Sequence, residues 1–295
     1  MPPEVRPGPL FAQRTTLRVG GRAMAEVVLA APEDADGLAG VLKACGATPL
    51  ALGGGSNILA GDGDLPLVVV SPRLTGEPAI LRERPEGKVR VRALAGVKLS
   101  RFLAWMAVQG LSALEGLAGV PGTVGGAVAG NAGSYGDDMA GVLARVLLWT
   151  PGEGRRWIGR EGFAAGYRRF VPAGVDGFYL VLAAEFDCEV REPVAIRREM
   201  TACLRQKRDT QPITAATAGC VFKNPPGAAA WRLLAEAGFQ GRRVGNMAFS
   251  TLHANFLVNC GGGTGRDALE LLAMAREAVR TRSGHVLEPE VRIVP

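Results

Sequence analysis

Two glycine-rich segments carry the residues whose types and spacing best suit chemistry. The first, LGGGSNIL, covers residues 52–59; the second, GLAGVPGTVGGAVAGNAGSYG, covers residues 116–136 and contains eight glycines. Glycine has the most conformational freedom to lose in ordered backbone, so such clusters need a reason. Without side chains, the backbone N–H groups of a loop can approach an anion closely. Two such loops, with donors at Ser56, Asn57 and Thr123, predict a pyrophosphate site.

Two other interpretations of these glycines compete with the anion site. A Rossmann loop needs GxGxxG between a strand and an amphipathic helix, with an acidic residue about twenty positions later. Here the first cluster is followed by ILAGDGDLP, which is not an amphipathic helix, and the Rossmann interpretation fails. The remaining alternative is that both clusters are structural turns.

Strands and helices alternate through the first two-thirds of the chain, and the pattern changes beyond Asp187. Apolar runs and period-two alternation predict strands at 25–30, 48–52, 65–71, 89–96, 142–150, 178–186, 220–224, 254–259 and 289–294. Helical spacing predicts helices at 32–46, 98–110, 193–207, 228–237 and 265–282. We therefore expect a domain boundary near residue 190.

Composition narrows the function classes. The 295 residues are 47% hydrophobic, which allows two or three packed domains, and no apolar run is long enough for a membrane span. The N-terminus lacks an apolar segment typical of signal peptides. Five widely spaced cysteines without a CxxC pair favour a reducing cytoplasm. A net charge of +6 from scattered basic residues favours anionic small molecules over nucleic acid.

Seven segments in order resemble the successive motifs of the UDP-N-acetylenolpyruvoylglucosamine reductase family, in its shorter form. They are TTLRVGG (15–21), ALGGGSNIL (51–59), GLAGVPGTVGGAVAGNAGSYG (116–136), GYRRF (166–170), AGCVFKNPPG (218–227), LHANFLVN (252–259) and LEPEVRIV (287–294). The longer form carries an insertion for which residues 190–220 leave no room.

The resemblance implies an α+β protein with the FAD-binding fold of vanillyl-alcohol oxidase and p-cresol methylhydroxylase. Residues 1–190 would bind FAD in two α/β subdomains, about 1–75 and 76–190, and an α+β domain at 191–295 would bind substrate. The family uses NADPH and non-covalent FAD to reduce the enolpyruvyl ether of UDP-N-acetylglucosamine to UDP-N-acetylmuramate for peptidoglycan synthesis.

The resemblance also assigns the cofactor site. The residues that would hold FAD are Gly53, Gly54, Gly55, Ser56, Asn57, Ile58, Gly119, Val120, Pro121, Gly122, Thr123, Gly125, Gly126, Asn131 and Gly133. With two histidines and no carboxylate cluster, we expect no metal site. We also expect no nucleic-acid or membrane partner, and a cytoplasmic monomer.

Three residues match the family's catalytic positions. Arg168 would bind the substrate carboxylate and stabilise charge that develops on it. Glu290 would bracket the same carboxylate and polarise it or share a proton. Cys220 occupies the place of the family's serine, and its thiol, with an ordinary pKa of about 8.5, would deliver a proton to the α-carbon.

Each catalytic assignment has a rival. Arg169 is the neighbouring arginine, and Glu288 shares one face with Glu290 if 289–294 is a strand. Cys220 would otherwise be a buried hydrophobic residue. Tyr167, Lys223 and Asn224 are the candidate substrate contacts, with Asn224 on the face of Cys220 if 220–224 is a strand; Asn255 and His253 are interpreted as structural.

Two other functions remain as alternatives. One is an FAD-dependent oxidase of the same fold, and the other is a flavin-binding protein without reductase activity. The cysteine at position 220 is the feature that favours the second.

Overall fold

The computed structural model describes residues 3–83 and 87–294. The strands are β1 (Glu4–Pro7), β2 (Arg22–Leu29), β3 (Thr48–Ala51), β4 (Ile58–Ala60), β5 (Asp64–Pro72), β6 (Ala79–Glu83), β7 (Lys88–Leu94), β8 (Leu111–Ser112), β9 (Gly133–Ser134), β10 (Asp137–Asp138), β11 (Leu143–Thr150), β12 (Gly154–Gly159), β13 (Phe163–Gly166), β14 (Arg169–Pro172), β15 (Leu180–Val190), β16 (Ala216–Cys220), β17 (Arg243–Val244), β18 (Met247–Phe249), β19 (Phe256–Asn259) and β20 (Arg292–Val294). The α-helices are α1 (Phe11–Arg14), α2 (Leu38–Cys45), α3 (Leu99–Val108), α4 (Val124–Ala129), α5 (Met139–Val142), α6 (Pro193–Thr210), α7 (Ala230–Glu236) and α8 (Gly265–Ser283). Short 3₁₀ helices cover Pro32–Gly37, Glu115–Leu117 and Arg160–Gly162.

The chain divides into two compact units. The first unit comprises the described residues of 1–7, 25–54 and 67–206, and the second those of 8–24, 55–66 and 207–295. The division falls inside the first glycine cluster, between Gly54 and Gly55. It also follows Gln206, within α6, whereas the predicted domain boundary lies near residue 190.

The first unit is built on two main sheets. One has the strand order β1-β2-β5-β3, and the other the order β12-β11-β15-β7-β6, with β8 also paired to β15. From Leu180 to Phe186 every side chain of β15 is buried, because this central strand is covered on both faces. Helix α3 packs Leu99, Phe102 and Met106 into the same core, as the helical spacing of these residues predicts.

The second unit contains a four-stranded sheet, β16-β19-β18-β17, and the parallel pair β20-β4. Helix α8 is the longest helix described, and it packs Leu271 and Ala275 into this core. Two side chains cap its N-terminus. Thr264 accepts the N–H of Asp267, and the Asp62 carboxylate accepts the N–H groups of Gly265 and Arg266 at 2.8 and 2.9 Å, which satisfies N–H groups that have no partner within the helix.

Two strand predictions near the proposed catalytic residues are wrong. Strand β16 covers 216–220, so Cys220 ends a strand and does not begin one. The pairing of β16 with β19 shifts register between Thr217 and Cys220, where Gly219 has φ +81°, and it ends with the pair of Cys220 and Phe256. Cys220 and Asn224 therefore do not share a strand face. Likewise β20 begins at Arg292, so Glu288 and Glu290 lie before it.

None of the helices in the described ranges is long and apolar enough to cross a membrane. Within the same residues, no group of three or more His, Cys, Asp and Glu side chains is arranged to hold a metal ion.

Candidate active site

The two glycine-rich segments meet in the first unit. A Cβ atom placed on Gly53 would lie 2.5 Å from Thr123 Oγ1, and one placed on Gly54 would lie 2.8 Å from the Cα of Gly122. Both distances are far inside van der Waals contact, so the loops can approach this closely because neither position has a side chain. The structure thus brings the two loops together, and their closing on a pyrophosphate stays a prediction.

The backbone around this contact is open to solvent. Gly53, Gly54, Gly119, Pro121 and Gly126 are all exposed. Glycine-lined, exposed backbone from two loops leaves space for a pyrophosphate against the chain, so the residues present fit the FAD group that the resemblance implies.

Two glycines of the second loop, Gly125 and Gly126, make contacts within the protein. The N–H of Gly125 donates to Ala95 O at 2.9 Å, and a Cβ on Gly125 would lie 2.6 Å from the Cβ of Ala95. The N–H of Gly126 donates to Thr123 Oγ1 at 3.4 Å, where Thr123 caps helix α4. These two N–H groups therefore already have acceptors within the protein.

The rest of the first cluster lies in the second unit. Gly55 has φ +64° and a Cβ there would collide with Arg14 O, so this position needs glycine. Asn57 donates from Nδ2 to Glu290 O at 3.1 Å, and its own carbonyl accepts the N–H of Arg292 at 3.0 Å. Ile58 begins β4 and is buried. Within the second unit, Asn57 thus holds the segment that contains Glu290.

Arg168 lies at the tip of the β13–β14 hairpin in the first unit. Gly166 pairs with Arg169, so Tyr167 and Arg168 form a two-residue turn. Arg168 has φ +52°, in the left-handed region, which costs an L-residue about 1–2 kcal/mol. Its guanidinium lies 5.1 Å from the centre of the Tyr167 ring. Two-residue hairpin turns commonly require a positive φ, so the turn itself accounts for this backbone conformation.

Asn131 holds this hairpin to the second glycine-rich segment. Its side chain is 2% exposed, and Nδ2 donates to Gly166 O at 2.9 Å and to Asp138 Oδ2 at 3.2 Å. Its Oδ1 accepts the N–H of Ala140 at 2.9 Å. The Asn131 side chain is therefore a structural tie; its contact with the cofactor stays a prediction. Asp138, which the sequence argument missed, carries no motif signal of its own.

In the second unit, a short buried segment follows Cys220. Val221 and Phe222 are both 0% exposed. The Asn255 side chain pairs with both backbone groups of Phe222: Oδ1 accepts its N–H at 3.0 Å and Nδ2 donates to its carbonyl at 2.8 Å. On the other side, Glu290 N donates to Val221 O at 2.8 Å. The structure therefore brings Cys220 and Glu290 to adjacent positions on two hydrogen-bonded segments.

Glu288, the rival of Glu290, forms an ion pair with Lys223. Lys223 Nζ and Glu288 Oε1 are 2.5 Å apart, and the Glu288 side chain is 70% exposed. Asn224 Oδ1 accepts the N–H of Ala230 at 2.9 Å, at the start of α7. Lys223 and Asn224 thus have protein partners, and their contact with substrate stays a prediction.

Comparison with known proteins identifies the domains of this chain. Residues 27–151 match the model of an FAD binding domain, and residues 211–294 match the C-terminal domain of UDP-N-acetylenolpyruvoylglucosamine reductase. The chain is 50% identical to that reductase from Oleidesulfovibrio alaskensis over 100% of this chain and 99% of the relative. The reductase from Nitratidesulfovibrio vulgaris is 48% identical over 99% and 98%.

A solved structure gives the same answer. The UDP-N-acetylenolpyruvylglucosamine reductase from Thermus caldophilus is 34% identical and superposes with a TM-score of 0.80, covering 99% of this chain and 100% of that one. These matches confirm the predicted FAD-binding fold and FAD as the cofactor. The chain belongs to the UDP-N-acetylenolpyruvoylglucosamine reductase family.

Proposed function

We propose that this chain reduces the enolpyruvyl ether of UDP-N-acetylglucosamine with NADPH, giving UDP-N-acetylmuramate for peptidoglycan synthesis. Full-length identity to reductases of that name supports the reaction. A bound FAD would supply the redox chemistry that couples oxidation of NADPH to reduction of the enolpyruvyl group. The observation that carries the residue assignment is the hydrogen bond from Glu290 N to Val221 O, because it sets Glu290 beside Cys220.

The protein's own residues then divide the remaining work. Arg168 binds the substrate carboxylate and stabilises the charge that develops there. Glu290 polarises that carboxylate, and the Cys220 thiol delivers a proton to the α-carbon. The backbone of the glycines at 53–55, 119 and 122 would hold the FAD pyrophosphate, and Gly125 and Gly126, whose N–H groups bond within the protein, would shape the loop around it. Tyr167 lies beside Arg168, 54% exposed, where it can contact the substrate.

The test separates the two half-reactions. The purified protein should consume NADPH rapidly when the enolpyruvyl sugar nucleotide is added, and slowly without it. Glu290→Gln should keep its flavin and accept hydride from NADPH, yet reoxidise slowly with the sugar nucleotide. If the parent protein shows no substrate-dependent NADPH consumption, the proposed reaction is wrong.

We further propose that residues 1–190 form the FAD domain and 191–295 the substrate domain, in a monomer that works in the cytoplasm. The match of residues 211–294 to a C-terminal domain model supports a separate C-terminal domain. Limited proteolysis should first cut at residues 191–192, between β15 and α6. Sedimentation should give the monomer mass, and cell fractionation should recover the protein with cytoplasmic markers. A first cut elsewhere, a dimer, or recovery with the envelope would contradict the respective part.

A further inference from the structure

We propose that Gly133 and Asn131 are positioning residues that set the place of the Arg168 guanidinium, an inference that rests on the role proposed above for Arg168. Both residues belong to the segment predicted to run near the flavin. Their contacts in the first unit instead point at the arginine hairpin.

Gly133 leaves room for the guanidinium. A Cβ atom on Gly133 would lie 3.1 Å from Arg168 Nη1 and 3.0 Å from the Cβ of Asp138. Such distances are closer than ordinary van der Waals contact, so a methyl group here would displace the arginine by a few tenths of an ångström. Gly133 does not have a positive φ, so glycine is not needed for the backbone at this position. The third close neighbour is Asp137 O, at 3.1 Å. Asp137 O and the Cβ of Asp138 belong to the paired strand β10, whereas Arg168 Nη1 ends a flexible side chain and moves most readily.

Asn131 fixes the base of the same hairpin. Its Nδ2 holds the carbonyl of Gly166, two residues before Arg168, at 2.9 Å, and its Oδ1 holds the N–H of Ala140 at 2.9 Å. Because Asn131 is 2% exposed, water does not compete for these bonds. The tie matters because Arg168 itself has a left-handed backbone, φ +52°, which the surroundings must maintain.

Together these contacts fix the arginine from two directions. Asn131 sets where the hairpin turn lies, and Gly133 sets where the end of the side chain lies. A guanidinium stabilises a carboxylate best when both N–H groups align with its two oxygens. A small displacement therefore weakens stabilisation of the developing charge more than it weakens binding of flavin.

Gly133→Ala is the sharpest test, and Gly141→Ala is its control. Gly141 has no positive φ, and a Cβ there meets Asp138 Oδ1 at 3.5 Å, an ordinary contact. We expect Gly133→Ala to keep its flavin and its reduction by NADPH, while kcat with the sugar nucleotide falls about three- to tenfold. Gly141→Ala should behave as the parent.

A double-mutant cycle with Arg168→Ala separates positioning from a general structural effect. In the Arg168→Ala background, Gly133→Ala should cause no further loss of flavin reoxidation. Equal losses in both backgrounds, or loss of flavin in Gly133→Ala, would overturn the proposal. Asn131→Gly, which keeps the left-handed backbone and removes the tie, should show the same dependence on Arg168.

The outcomes also distinguish this inference from the role on which it rests. If Arg168→Ala turns over like the parent, the proposed role of Arg168 fails. If Arg168→Ala is slow but Gly133→Ala matches Gly141→Ala, Arg168 keeps its role and only the positioning proposal fails.

Discussion

Each unit of the molecule uses one buried asparagine to hold a proposed catalytic segment, but the two do so differently. In the first unit, Asn131 ties together two separate segments, at Gly166 and Ala140. In the second, Asn255 pairs both backbone groups of the single residue Phe222. Asn131 therefore supports an exposed, strained turn, whereas Asn255 replaces a missing strand partner inside the core. The Arg168 turn is thus held through bonds between separate segments near the surface, and the Cys220 segment through bonds to one fully buried residue.

We expect the largest difference in stability between variants in which one or the other asparagine is substituted. Asn255→Ala leaves the N–H and carbonyl of fully buried Phe222 without partners, which should lower the free energy of unfolding by about 2–5 kcal/mol. Asn131→Gly should cost about 1 kcal/mol, because exposed Gly166 regains hydrogen bonds from water. Urea unfolding of both variants checks the order, and a larger loss for Asn131→Gly would reverse the comparison.

A smaller effect with the opposite sign is expected at the turn itself. Arg168→Gly removes a side chain from a left-handed position, φ +52°, so stability should stay the same or rise by about 1 kcal/mol. Substrate-dependent turnover should nevertheless be lost, because the guanidinium is gone. Thermal unfolding measured beside turnover tests both halves. A marked fall in melting temperature would mean that the side chain stabilises the fold, not the reaction.

The stability of the region around Asn255 should also depend on pH, through His253. Burial lowers the pKa of this imidazole from its ordinary value of 6.5, and its Nδ1 lies 3.3 Å from the N–H of Asn255. The unfolded chain then binds the proton more readily, so stability is lost as the pH falls below 6.5 toward the folded pKa.

Chemical unfolding at several pH values tests this effect. The parent should lose more stability on acidification than His253→Gln. Parallel pH profiles for the two proteins would show that His253 does not contribute.

The smallest effect should come from Glu288→Gln. It breaks the ion pair with Lys223, but the Glu288 side chain is 70% exposed, so the loss in stability should be at most about 1 kcal/mol. Turnover should stay close to that of the parent, in contrast with Glu290→Gln. Steady-state kinetics of both variants is the test. A large loss in kcat for Glu288→Gln would assign the catalytic role to Glu288 in place of Glu290.

The sequence predicts well what depends on local pattern. The apolar runs at 65–71 and 178–186 and the helical spacing from Leu99 to Met106 became β5, β15 and α3. The structure shows that the glycines at 53 and 54 are approached closely by the second loop, and the approach of a pyrophosphate to them stays a prediction. Local sequence is sufficient to predict these features, because apolar periodicity and glycine clusters are visible within a few residues.

The contacts beside the proposed catalytic residues could not be predicted from local sequence, because they join segments that are far apart in the chain. The segment at 221–224 has the apolar content of a strand, yet it is held by the Asn255 side chain and by residues 288–291. Nothing local to residues 131 or 133 indicates that they contact a hairpin more than thirty residues later. Such pairings depend on distant segments and leave no periodic signal in the chain.

Cys220 provides the most direct test of the central claim, that the segment held by Asn255 and Glu290 delivers the substrate proton. Flavin reoxidation by the enolpyruvyl sugar nucleotide should be measured in single turnover for the parent, Cys220→Ser and Cys220→Ala. Serine places a hydroxyl at the same position and should keep near-parental rates. Alanine should be slower by about 10²–10⁴-fold, the range for a lost general acid, with flavin reduction by NADPH unchanged. Near-parental reoxidation by Cys220→Ala would contradict the account and leave Cys220 as a packing residue.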